Sequence, residues 1–119
     1  VLGQHTLFLD EPTFGQDRLG ADSLLDRLAT LADGGRCIVA ITHDMRLVAE
    51  RATRVIAMAE GMVIFDGPPR ELFALPDILR RARLRPPPIW LLGERLGLPQ
   101  PPLSIKDMIG FAAAELVRA

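Results

Sequence analysis

Tyrosine is absent from this 119-residue sequence, and tryptophan and cysteine occur once each. A single cysteine, Cys37, excludes an internal disulfide framework and any multi-cysteine metal site. It lies in an apolar run, so it is expected to be an inert core residue rather than a reactive thiol. Neither sign of charge prevails: 14 Lys and Arg stand against 15 Asp and Glu, a net charge of −1. No global field therefore draws the chain to nucleic acid or to an anionic membrane. No apolar run approaches the roughly 18 residues of a membrane span, and no signal peptide is visible. The expectation is a cytoplasmic chain without direct membrane insertion. Any membrane connection would run through a partner. A further absence is chemical: no Gly-x-x-x-x-Gly-Lys-Ser/Thr phosphate loop occurs anywhere.

What is present is enough for one small domain, burying roughly 65% of its unfolded surface. Apolar content of 49% and charged content of 24% are ordinary for a globular chain. The chain is organised around Thr6-Leu7-Phe8-Leu9-Asp10-Glu11-Pro12-Thr13. A short apolar run closed by a turn signal reads as a buried strand, and Pro12 ends it. Asp10 and Glu11 then sit at the carboxyl end of a strand, where open α/β sheets bind ligands. Leu24, Leu25, Leu28, Leu31 and Ala32 recur at helical spacing and predict a helix over 20–33, closed by Gly34-Gly35. Cys37 to Ile41 is a second buried strand. Strand, helix, strand predicts a parallel pair with a right-handed crossover. Asp10, Glu11 and His43 then emerge at one edge of the sheet, on topology alone.

Thr42 or Asp44 can cap the next helix, whose buried face is marked by Met45, Val48, Ala49 and Ala52. Val55 to Ala59 and Met62 to Phe65, joined by Glu60-Gly61, predict a hairpin. A short helix follows near residues 70–75. Arg80, Arg81, Arg83 and Arg85 crowd a helical stretch that Pro86-Pro87-Pro88 stops, and residues 89–97 form another short helix. Ser104 with Asp107 makes a capping-box-like start. Ile105, Met108, Ile109, Ala112, Ala113, Leu116 and Val117 then keep helical spacing to the end. That stripe either packs on its own domain or takes a partner. Trp90 is expected to be a packing residue, and the arginines a solvated face.

Asp10-Glu11-Pro12-Thr13, then Gly15-Gln16-Asp17, then Thr42-His43-Asp44 resemble, in order and spacing, the Walker B, D-loop and switch-histidine segments of ABC-type ATPases. The resemblance implies an α/β fold of P-loop NTPase type, a largely parallel sheet with flanking helices, followed by a small helical extension. It implies ATP and Mg²⁺ as cofactors. Asp10 matches the Mg²⁺-side aspartate, acting through water. Glu11 matches the catalytic glutamate that polarises the attacking water. His43 matches the histidine that contacts the γ-phosphate, and Asp17 the D-loop aspartate at the subunit interface. Phe14 and Gln16 depart from the small residue and leucine common at those D-loop positions. Neither the phosphate loop nor a Leu-Ser-Gly-Gly-Gln segment is present. The chain is therefore expected to be the second part of a longer ATPase domain, inactive alone.

Pro86-Pro87-Pro88, Leu92, Leu96-Gly97-Leu98-Pro99 and the closing helix resemble the C-terminal region of energy-coupling-factor ATPases, which drive uptake of vitamins and of cobalt or nickel ions. The implied division is 1–67 for the ATPase portion and 68–119 for the extension. The implied partners are a second ATPase subunit and a transmembrane coupling protein, with the chain peripheral on the inner face of the cell membrane. Two alternatives stand beside this reading. One is a catalytically dead remnant serving as an interaction or dimerisation module. The other is a non-transport ABC-type ATPase.

Overall fold

Two short apolar runs and one helical stripe between them build the N-terminal part of the chain. In a computed structural model, which describes residues 5–118 and their side chains as far as 114, the chain divides into two units, Val1–Asp44 and Met45–Ala119. Most of the expected lead-in, residues 1–4, lies outside the described residues.

The first unit runs β1 (Thr6–Asp10), α1 (Arg18–Asp33), β2 (Cys37–Ile41). The strands pair in parallel, in register from Thr6 with Cys37 to Asp10 with Ile41. The ladder continues at both ends: Cys37 N donates to His5 O at 2.7 Å and Glu11 N to Ile41 O at 2.7 Å. Helix α1 starts where Asp17 accepts a bond from the Gly20 amide at 2.7 Å. It ends at glycines, as expected. Gly35 takes a left-handed φ of 94°, while Gly35 N donates to Ala32 O and Arg36 N to Leu31 O. This pair of bonds satisfies the last helical carbonyls.

Both strands were expected to be buried on both faces, and one face of the pair is bare. Side chains alternate across a strand, so Thr6, Phe8 and Asp10 share a face with Cys37, Val39 and Ile41. All six are exposed, Phe8 at 72% and Ile41 at 62%. The reason is architectural. A parallel pair needs a helical layer on each face, and this unit supplies one helix, α1, which packs against β2. Cys37 lies on the bare face and is exposed, not a core residue.

The second unit runs α2 (Met45–Arg51), β3 (Val55–Ala59), β4 (Met62–Gly67), α3 (Pro69–Phe73), α4 (Pro76–Arg81), α5 (Pro88–Arg95) and α6 (Ile105–Arg118). Strands β3 and β4 are antiparallel, with a bulge at Ala57/Met58. Their turn puts Glu60 at φ 54° and Gly61 at φ 74°. Two successive left-handed residues are what a two-residue hairpin needs to match strand twist. Met45, Val48 and Ala49 of α2 meet Ala57, Leu72, Phe73, Leu79 and Trp90 in one core, with Ala52 against it. Trp90 packs as expected, its ring 5.6 Å from that of Phe73, and its indole donates to Glu94 Oε1 at 2.7 Å.

The arginine stretch is shorter in helix than its sequence suggests. Helix α4 stops at Arg81, and Arg83 takes a left-handed φ of 57°. Leu84 N donates back to Leu79 O at 2.8 Å, which turns Leu84 onto the core. The pull of one leucine ends the helix before Arg83 and Arg85 can join it. At α6, the Asp107 amide donates to Ser104 Oγ and the Leu103 amide to the Asp107 carboxylate. Most of the apolar stripe of α6 is uncovered as far as it is described, with Ile105 and Ile109 exposed and Met108 half-buried. The side chains of Leu116 and Val117 lie outside the described residues.

Candidate active site

Parallel pairing makes β1 and β2 end side by side, so the segments that follow Asp10 and Ile41 share one edge. Glu11 leaves the strand direction there, with φ 45°. That conformation is uncommon for any residue but glycine. It sends the two adjacent carboxylates different ways. Asp10 keeps the exposed strand face, and Glu11 reaches the segment after β2. The turn behind Glu11 is closed by Phe14 N to Glu11 O at 3.1 Å and Gln16 N to Thr13 O at 3.2 Å.

Five side chains and one amide then form a network across the two segments. His43 Nδ1 lies 2.7 Å from Glu11 Oε1. The Thr42 hydroxyl donates to Glu11 Oε2 at 3.2 Å and accepts from the Asp44 amide at 2.9 Å. The Thr13 hydroxyl donates to Asp44 Oδ2 at 3.0 Å. Glu11 is one-third exposed, whereas the His43 side chain is 84% exposed. The His43 bond holds the Glu11 carboxyl below the usual carboxylate range. Partial burial opposes this, and the Thr42 bond adds to it. An imidazole whose Nδ1 faces a carboxylate leaves Nε2 directed elsewhere, free for a second contact.

Of the residues expected to carry chemistry, the structure brings Glu11 and His43 into contact and leaves the other two apart from them. Asp10 is exposed, and no bond or ion pair of its carboxylate is recorded among the described residues. Asp17 caps α1 through Gly20. No cluster of three metal-ligating side chains occurs among the described residues. A single hard oxygen such as Asp10 still fits Mg²⁺, which keeps several waters and takes few protein ligands. Sequence reasoning placed Thr13, Thr42 and Asp44 in motifs but assigned them no site role. Their signal was spacing: each lies within two residues of Glu11 or His43.

No family model matches the chain. An ABC transporter ATP-binding protein of Methanosarcina acetivorans is 42% identical over 112 residues, which cover 91% of this chain and 18% of that protein. The energy-coupling factor transporter ATP-binding protein EcfA2 of Methanospirillum hungatei is 37% identical over 109 residues, covering 87% of this chain and 27% of that protein. Among solved structures, CbiO1 of Clostridium perfringens, described as part of the ABC transporter complex CbiONQ, superposes with a TM-score of 0.54 at 37% identity. That match covers 76% of this chain and 36% of CbiO1. The chain thus spans well under half the length of each of these three proteins. Sequence and fold agree that it is related to the ATP-binding proteins of ABC transporters, with the α/β fold of P-loop NTPases.

Proposed function

We propose that this chain is the part of an ABC-type ATPase that activates the attacking water and senses the γ-phosphate. The observation that supports it most is the 2.7 Å contact between Glu11 and His43 at the edge where two parallel strands end. Glu11, held ionised, accepts the proton of a water as that water attacks the γ-phosphorus, and ADP leaves. His43 presents its Nε2 side to a γ-phosphate oxygen while Nδ1 stays on Glu11. Asp10 is the residue that would hold Mg²⁺ through water, and the ion would neutralise charge on the β- and γ-phosphates. Asp17, beyond its cap, would face a second ATPase subunit.

The energy-coupling-factor class is favoured by the likeness to EcfA2 and by the proline-punctuated tail. In this reading residues 1–67 belong to the ATPase domain and 68–119 to the extension. The chain works peripherally on the inner face of the membrane beside a transmembrane coupling protein, in uptake of a vitamin, vitamin precursor or transition-metal ion. Alone it turns over no ATP, because phosphate-loop amides and lysine form the main triphosphate cradle.

The test is turnover of Mg-ATP after a phosphate-loop and signature segment from a relative is joined ahead of residue 1. We expect hydrolysis by the joined protein, none by the chain alone, and a loss of about 10²–10⁴-fold for Glu11→Gln, the range for a positioned acid–base group. A Glu11→Gln protein as fast as its parent would sink the assignment.

A further inference from the structure

We infer that Thr42 is a positioning residue for Glu11, an inference that rests on the ATPase reading above. Hydrogen-bond direction at this hydroxyl is fixed by its neighbours. The Asp44 amide can only donate, so Thr42 Oγ1 accepts there, at 2.9 Å. An ionised carboxylate can only accept, so the single hydroxyl proton goes to Glu11 Oε2, at 3.2 Å. His43 holds the other oxygen, Oε1. Glu11 is thus gripped at both oxygens by consecutive residues of one segment. Rotation of its carboxylate, otherwise a soft torsion, is restrained.

The grip is itself braced. Thr13, two residues beyond Glu11, donates to the Asp44 side chain at 3.0 Å, while the Asp44 backbone holds Thr42. The two hydroxyls thus cross-link the segments in addition to His43, each over 31 residues of sequence. The left-handed backbone at Glu11 gives the grip a purpose. Its amide still bonds Ile41 O, but the left-handed φ takes its side chain out of the strand's alternation, so the strand pairing does not fix where its carboxylate points. With His43 Nδ1 on one carboxylate oxygen and Nε2 turned to a γ-phosphate, Thr42 is the second contact that keeps Glu11 aimed at the same place.

Two measurements test this, one of them independent of ATP. In the chain itself, a neutral imidazole donating to Glu11 carries its proton on Nδ1, and ¹⁵N spectra of His43 at alkaline pH report that tautomer. Thr42→Val removes the hydroxyl and keeps the shape. We expect it to shift His43 toward the Nε2–H tautomer, and Thr42→Ser to retain the parent spectrum. In the joined ATPase, we expect Thr42→Val to lower kcat roughly tenfold with KM for ATP unchanged, as loss of one hydrogen bond to a charged group implies. Thr42→Ser should restore the rate. An unchanged tautomer in Thr42→Val, or an unchanged kcat, overturns the positioning role. A parent protein that hydrolyses no ATP overturns the ATPase reading instead, and the tautomer still decides whether Thr42 orients Glu11.

Discussion

At the scale of single residues, the pH dependence of the site has a definite sign. The folded chain holds Glu11 below its usual carboxylate range, chiefly through His43. A group depressed on folding stabilises the native state above its unfolded pKa, and that contribution disappears as pH falls through the folded value. We therefore expect thermal unfolding of the parent and of Glu11→Gln to differ at neutral pH and to converge in acid. Parallel curves across the acid range would show that the pair contributes nothing to stability. The meeting of Glu11 and His43 at one edge was legible in sequence because they stand one and two residues past the ends of two apolar strands. Thr42 and Thr13 were not legible as site residues. A hydroxyl's role depends on which neighbours accept and donate, and the Thr42–Glu11 and Thr13–Asp44 partners are 31 residues away.

At the scale of elements, turns and close approaches set the cost of substitution. Gly61 sits at φ 74° in the β3–β4 turn. Gly61→Ala should destabilise by about 1 kcal/mol, the penalty for a side chain in the left-handed region. Gly93, buried in α5, has a different constraint. A Cβ there would collide with the Pro102 side chain and lie 3.0 Å from the Pro101 Cα. Gly93→Ala should cost about 1–3 kcal/mol by overpacking. Leu72 is fully buried at the centre of the second unit's core. Leu72→Ala should cost about 2–5 kcal/mol. Urea unfolding of the three variants checks all of these, and equal midpoints for Gly93→Ala and its parent would refute the close approach. Most elements were readable from periodicity and punctuation, since the two strands, the hairpin and the capped helices all form. The end of α4 was not, because Leu84 is drawn back by contacts that are remote in sequence.

At the scale of the whole molecule, the bare face of β1–β2 dominates behaviour in solution. A two-stranded sheet is marginal unless its apolar face is covered. Phe8, Val39 and Ile41 are exposed together, and Ile105 and Ile109 add a second uncovered stripe on α6. We expect the chain to self-associate in sedimentation velocity, and Phe8→Lys to shift it toward monomer. A monodisperse monomer at high concentration would show that these faces are not adhesive. Covering the face with the joined phosphate-loop segment should have the same effect as the lysine.

The sequence alone was enough for the class of fold, because strand length, helical spacing and the residues that end them are local properties. It was also enough to predict that the carboxylates and His43 would share an edge, since parallel strands joined by a helix must end together. Burial was a different matter. Whether an apolar run is inside depends on what lies over it, so Cys37, Phe8 and Ile41 read as core and stand exposed. The direction of the Glu11 carboxylate was likewise a matter of three-dimensional arrangement. A left-handed backbone, one hydroxyl and one imidazole fix it together, and their meeting is a consequence of the strand register.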